Sequence, residues 1–235
     1  MRKIILVCFV FLNLTVLGQD NKGSRIILSV TQGIENASFH VYEPPFQAKA
    51  IYSDTTEAVN EYPEQLMSSI MSATNQPWVE YNVLGGAESG EQKSNRHFDF
   101  ISTMNRDSNY FELRSKLMFS EGSREFAIIK FYLHTEDISE DQSGAFVMQK
   151  VGDRWYRTAT SFTTNIAVMV MRFKAPLLQQ ILGGQLTGDS QVDTMIQQVG
   201  NNGVVDINQL YALFAAWYEN NDTANLDYFI DENAW

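Results

Sequence analysis

The chain has almost no cysteine: one in 235 residues, Cys8, inside an apolar N-terminal stretch. Once that stretch is removed on export, no disulfide can form and no thiol chemistry remains. Histidine is scarce as well. His40, His97 and His134 lie far apart, and none sits at the spacing of a metal ligand pair, so no metal site and no cofactor are expected. The Gly-x-Ser-x-Gly turn of a serine nucleophile is missing. Basic residues are few, 17 against 28 acidic, for a net charge of −11. Such a chain is repelled by phosphate backbones and anionic lipid heads, which argues against nucleic acid or a membrane surface as partner. From Gly183 to Trp235 there is no Lys or Arg at all.

Long hydrophobic runs are also lacking. The run Ile4–Leu14 is too short for a membrane span. Preceded by Arg2 and Lys3 and followed by Val16-Leu17-Gly18, it has the pattern of an export signal over residues 1–18, with an uncleaved anchor helix as the alternative. Cleavage after Gly18 leaves Gln19 first, and no Cys stands there to carry a lipid, so no stable membrane anchor is expected. The remaining 217 residues, at a net charge of −13 without Arg2 and Lys3, suffice for one sizeable core or a core with a helical extension. An exported protein, periplasmic or secreted, is the expectation.

What is present is strand alternation. Phe111, Leu113, Ser115, Leu117 and Phe119 recur at a period of two, which predicts one core face with Glu112, Arg114, Lys116 and Met118 facing water. Gly122 marks a turn. Glu125–His134 is apolar on both faces, as a central strand is. After the polar loop Thr135–Ser143, Ala145–Val151 and Arg154–Phe162 flank the hairpin turn Gly152-Asp153. Tyr110–Phe162 therefore reads as a four-stranded antiparallel meander. Upstream, Ser24–Tyr42 reads as a strand pair, or a strand and a loop, ended by Pro44-Pro45.

Helices surround the meander. Pro63 and Glu64 open a helix over Tyr62–Met71 with the stripe Leu66, Met67, Ile70 and Met71. Trp78–Leu84 extends for a turn or two and stops at Gly85-Gly86. His97–Met104 makes a short third helix. Asn165–Leu182 is interrupted at Pro176, giving two short helices or a strand and a helix. Asp189–Val199 and a segment capped by Asp206 follow. The fold class is α+β: N-terminal helices packed on a twisted antiparallel sheet over residues 19–164, then a helical extension over 165–235 docked on it. That extension's apolar faces must meet protein, because helices lying on lipid carry Lys and Arg on the polar face.

The segment Phe146-Val147-Met148-Gln149-Lys150-Val151-Gly152-Asp153-Arg154-Trp155-Tyr156-Arg157 resembles the penultimate hairpin of small exported members of the nuclear-transport-factor-two-like (cystatin-like cone) superfamily. Pro63–Tyr81 is similar to their opening helices, so the resemblance covers about residues 62–162; the helical tail departs from it. The resemblance implies a cone with a pocket between sheet and helices, used by some members for catalysis and by many for binding alone. Its enzymes pair a carboxylate or His base with Tyr donors. That makes His97, Asp99, Tyr81 and Tyr110 the catalytic candidates and Tyr132, Lys130 and Trp155 the ligand-binding ones. On a helix, His97 and Asp99 diverge, and His97 reads first as structural. Lys130, inside the central strand, is expected to snorkel. Gly85–Gly90 lacks the Lys-Ser/Thr pair of a phosphate loop and reads as surface. The leading expectation is an exported, non-catalytic module binding a protein or a small apolar ligand. The alternative is a small pocket enzyme of isomerase or dehydratase type.

Overall fold

The computed structural model describes residues 34–136, 142–158, 161–182, 185–190, 192–194, 197, 212 and 216. The export signal expected over residues 1–18, the first part of the strand expected from Ser24, and most of the helix expected after Asp206 lie outside them.

Five strands form one antiparallel sheet in chain order: β1 (Ile34–Lys49), β2 (Tyr110–Glu121), β3 (Arg124–His134), β4 (Gln142–Val151) and β5 (Arg154–Thr158). The four strands of the meander and their turns are as the alternation predicts, with Gly122 and Gly152 both at positive φ. The last strand, however, stops at Thr158 instead of Phe162, Ser161-Phe162 already open a helix, and β4 starts at Gln142, inside the expected polar loop. Helices α1 (Pro63–Ser72), α2 (Gln76–Asn82) and α3 (Asn95–Thr103) lie between β1 and β2, and α4 (Ser161–Arg172) and α5 (Ala175–Leu182) follow β5. The fold is α+β.

Two expectations about the strands change. Pro44-Pro45 does not end β1. Neither proline can donate to a ladder, but β1 is an edge strand and its register slips between Val41 and Phe46, so the pair sits in that irregularity. On β2, the odd residues are buried from Phe111 to Phe119, yet they do not share a face. Leu113 pairs with Phe131 and Ser115 with Lys130, so one extra residue, Arg114, is inserted between two residues that oppose consecutive partners. A bulge of this kind inverts the alternation. Phe111 and Leu113 join Ala127, Ile129, Phe131, Met148 and Trp155 on the first face, whose core includes Leu66, Met67 and Met71 of α1. Ser115, Leu117 and Phe119 sit opposite Lys130, Ile128 and Phe126 on the second. Lys116 and Met118 are half-buried on the first face rather than in water.

β3 is buried on both faces from Phe126 to Phe131, as its composition predicts. The second face is covered by α4 on β3 and β4 and by α5 on β1, with Ile166, Met169, Val170, Leu177 and Leu178 buried. The break between α4 and α5 falls at Phe173-Lys174, and Pro176 occupies the first turn of α5, where its missing N–H costs nothing. Phe146 and Met148, by their pairing with Ile129 and Ala127, belong to the first face with α1.

The N-terminal helices are tied down by polar contacts that sequence spacing alone does not reveal. Glu64, in the first turn of α1, accepts from Lys116 Nζ at 2.5 Å and from the Tyr42 hydroxyl at 2.5 Å. Asn75 caps α2 by accepting from the Trp78 N–H at 3.0 Å, and Ser94 caps α3 by accepting from the His97 N–H at 3.3 Å. Asn60, at φ 54 and fully buried, presents its carbonyl to the Trp155 N–H at 2.8 Å, which fixes the loop before α1 to β5.

Candidate functional site

The first face of the sheet is not fully roofed by α1. Toward the β3–β4 end, a cleft of about 1040 Å³ opens between the sheet and α3, reaching the end of α2 and the Arg157 end of β5. Its floor is aromatic: Phe111, Phe131 and Phe146 stand with ring centroids 4.7 to 5.8 Å apart in edge-on and tilted contacts. Gly144 makes room for this floor, since a Cβ there would meet the Phe131 ring at 3.0 Å.

α3 presents its wall by helical periodicity. Arg96, His97, Phe100, Thr103 and Met104 line the cleft at i, i+1, i+4, i+7 and i+8. Phe98 and Ile101, on the opposite side, pack into the protein and hold that wall in place. Phe100 is 42 % exposed, an apolar ring left at the mouth. On the flank by β5, Glu91 bridges two cations, Lys93 at 3.0 Å and Arg157. Burial raises the Glu91 carboxyl, but bonds from Lys93 and the charges of Arg157 and Lys93 outweigh it and hold it below the usual range. Glu136, toward the β3–β4 loop, accepts from Ser108 Oγ at 3.2 Å.

Behind the wall lies a buried polar chain. Trp78 Nε1 donates to Ser69 Oγ at 3.0 Å, Ser69 donates to Asn82 Oδ1 at 2.7 Å, and Asn60 Nδ2 donates to the same oxygen at 3.1 Å. The indole can only donate, so the Ser69 proton points onward and sets the Asn82 amide with its oxygen inward. Asn82 Nδ2 is left with no partner among the described residues, although Asn82 is 2 % exposed and lines the cleft.

Of the residues singled out from the sequence, His97 alone lines this cleft. Burial, then the charge of Lys93, lowers its pKa, so its imidazole is neutral at pH 7. Asp99 is exposed and faces away. Tyr81 packs beside Trp78 and donates to the Ala58 carbonyl at 2.9 Å, beneath the Arg154 guanidinium at 3.3 Å. Tyr110 and Tyr132 belong to the second face, where Tyr110 stands 5.0 Å from the His134 ring and Tyr132 lies 4.7 Å under Arg114. Trp155 is a core residue at 2 % exposure. Lys130 does not snorkel: it is 1 % exposed and its Nζ donates to the Phe173 carbonyl at 2.9 Å, where α4 ends. Its stem has no route to water because α4 and α5 close that face.

The cleft thus unites His97 with residues that no motif marks. Arg96, Phe100 and Met104 were recoverable from the α3 periodicity; Asn82, Phe146 and Arg157 depend on how strands and helices meet. A second concavity of about 550 Å³ lies beside the β1 irregularity, lined by His40, Tyr42 and Pro44 among others. Among the described residues no three His, Cys, Asp or Glu side chains gather to hold a metal, and no helix is long and apolar enough to cross a membrane. No family model matches this sequence, and no curated protein or solved structure matches it either.

Proposed function

We propose that this chain is an exported binding module and that the cleft between α3 and the first sheet face is its site, taking a small ligand with an apolar body. The aromatic floor carries the reading. Phe146, Phe100 and Met104 line the cleft together with the edges of the largely buried Phe111 and Phe131 rings, an arrangement that stabilises an apolar ligand through area removed from water. A cone-like curvature of the sheet around this cleft, and kinship with the nuclear-transport-factor-two-like superfamily, belong to the same proposal. They draw support from the order of helices, meander and hairpin, and from a pocket between sheet and helices. Export rests on the pattern of residues 1–18.

A second reading, a pocket enzyme of isomerase or dehydratase type, is favoured by the neutral His97 in the cleft, the form a general base needs. Against it, none of the described residues lining the cleft is a Tyr, the donor that this reading pairs with the base. Fluorescence of the neutral probe N-phenyl-1-naphthylamine tests the binding reading. The full chain should bind it saturably, and Phe100→Asp, a change at an exposed position, should abolish most of the signal. A chain that fails to enhance the probe, or a Phe100→Asp variant that binds it equally well, overturns the reading.

A further inference from the structure

The cleft has a polar end as well as an apolar floor. Asn82 Nδ2 is the clearest mark of it: a buried donor whose own oxygen is committed to Ser69 and Asn60, lining the cleft with no partner among the described residues. A buried donor left unmade is costly, and a ligand that accepts from it recovers that cost. The second mark is charge. In a chain of net charge −11, the flank beside Asn82 carries Lys93, Arg96 and Arg157 against Glu91. Glu91 is shared between Lys93 and Arg157, so the flank keeps a positive surplus, and Arg96 forms no ion pair with any described residue. The third is the start of α3, whose first-turn residues Arg96 and His97 line the cleft and whose dipole favours a negative group.

These three features agree in sign, and they all lie at one end of an aromatic trough. We propose that the ligand is an anionic amphiphile, a small carboxylate with an alkyl or aryl body. Its acid group sits against Asn82 Nδ2, Arg96 and the first turn of α3, and its body lies over Phe111, Phe131 and Phe146. The neutral His97 completes this end as a hydrogen-bonding neighbour and adds no charge. The inference rests on the cleft reading above and adds the headgroup chemistry to it.

Titration calorimetry of the full chain with octanoate, octanol and octylammonium, each below its micellar range, separates the two claims. Octanoate should bind roughly tenfold more tightly than octanol, the scale of one charge-assisted hydrogen bond, with octylammonium weakest. Arg96→Ala, at an exposed position, should bring octanoate down to the affinity of octanol. In nitrogen-edited NMR the Asn82 side-chain amide should shift on addition of octanoate more than on addition of octanol. If octanol or octylammonium binds as tightly as octanoate, or Arg96→Ala leaves octanoate affinity unchanged, the acid site is wrong while the apolar cleft survives. If none of the three binds, both claims fall.

Discussion

Gly144 lies opposite Phe131, and its lack of a side chain lets that ring lie over the strand as part of the cleft floor. Gly144→Ala should displace the ring by a few tenths of an ångström, cost about 1 kcal/mol as mild overpacking, and weaken apolar probe binding with it. Urea denaturation and probe titration on the same variant check this; unchanged stability together with unchanged binding would rule it out. His97 and His40 supply a second residue-scale expectation. Burial first, then Lys93 for the one and Lys116 for the other, depress both pKa values below the ordinary 6.5, against a smaller opposing effect of Glu64 on His40. The unfolded chain therefore binds more protons just below that pH. Their contribution to stability is whole above pH 6.5 and is lost as pH falls through the lower folded values. Replacing His97 with Gln should flatten the stability profile across that window, as read by thermal denaturation at a series of pH values. Neither effect is visible in sequence, where His97 is a lone histidine and Gly144 falls between the polar loop Thr135–Ser143 and the strand read from Ala145. Both depend on what the sheet brings opposite them.

Elements explain why part of the fold was legible and part was not. The existence of β2 to β5, their turns, and the double burial of β3 follow from alternation and from Gly122 and Gly152, and these are local signals. The face assignment is not local. Arg114 breaks no pattern in sequence, because the odd residues stay buried on both sides of it; only the pairing with Phe131 and Lys130 reveals the inversion. Deleting Arg114 should leave Leu113 opposite Phe131 and Ser115 opposite Lys130 as consecutive pairs of a regular ladder, so every side chain beyond it keeps its face and the chain should still fold cooperatively. A deletion variant that loses its near-ultraviolet circular dichroism would refute the bulge. α1 depends on the same inversion, because it places Lys116 against Glu64 with exposures of 16 and 12 %. Burial alone raises the Glu64 carboxyl; Lys116 and the Tyr42 hydroxyl reverse that and hold it below the ordinary value. Glu64→Gln should cost about 3 kcal/mol at neutral pH by leaving Lys116 largely buried and unpaired. In the unmodified chain the stabilisation should be complete above pH 4.5 and lost as pH falls through the depressed value, and the variant should lack that acid limb.

On the scale of the whole molecule the question is how a sheet buried on both faces holds together without a disulfide. α1 to α3 cover the first face except over the cleft, and α4 and α5 cover the second. The apolar faces of α4 and α5 were readable as stripes needing protein cover, though which residues they meet was not: Phe146 and Met148 turn to α1, leaving Phe39, Leu117, Phe119, Phe126 and Ile128 as large buried apolar residues of the second face. Among these apolar neighbours Lys130 holds the junction of α4 and α5 through the Phe173 carbonyl, so the strand and the helical segment are joined by a charged hydrogen bond as well as by packing. A chain cut after Thr158 would expose those large side chains as one patch, and soluble monomers rarely leave such a patch open. The sheet would also keep its first-face core, so the product should be compact but sticky rather than unfolded. Size-exclusion chromatography should find it associated, and a hydrophobic dye should bind it strongly while far-ultraviolet circular dichroism still reports strand. If the truncated chain remains monomeric with an unchanged melting temperature, α4 and α5 contribute nothing to the second face, and their burial must be reassigned to a partner.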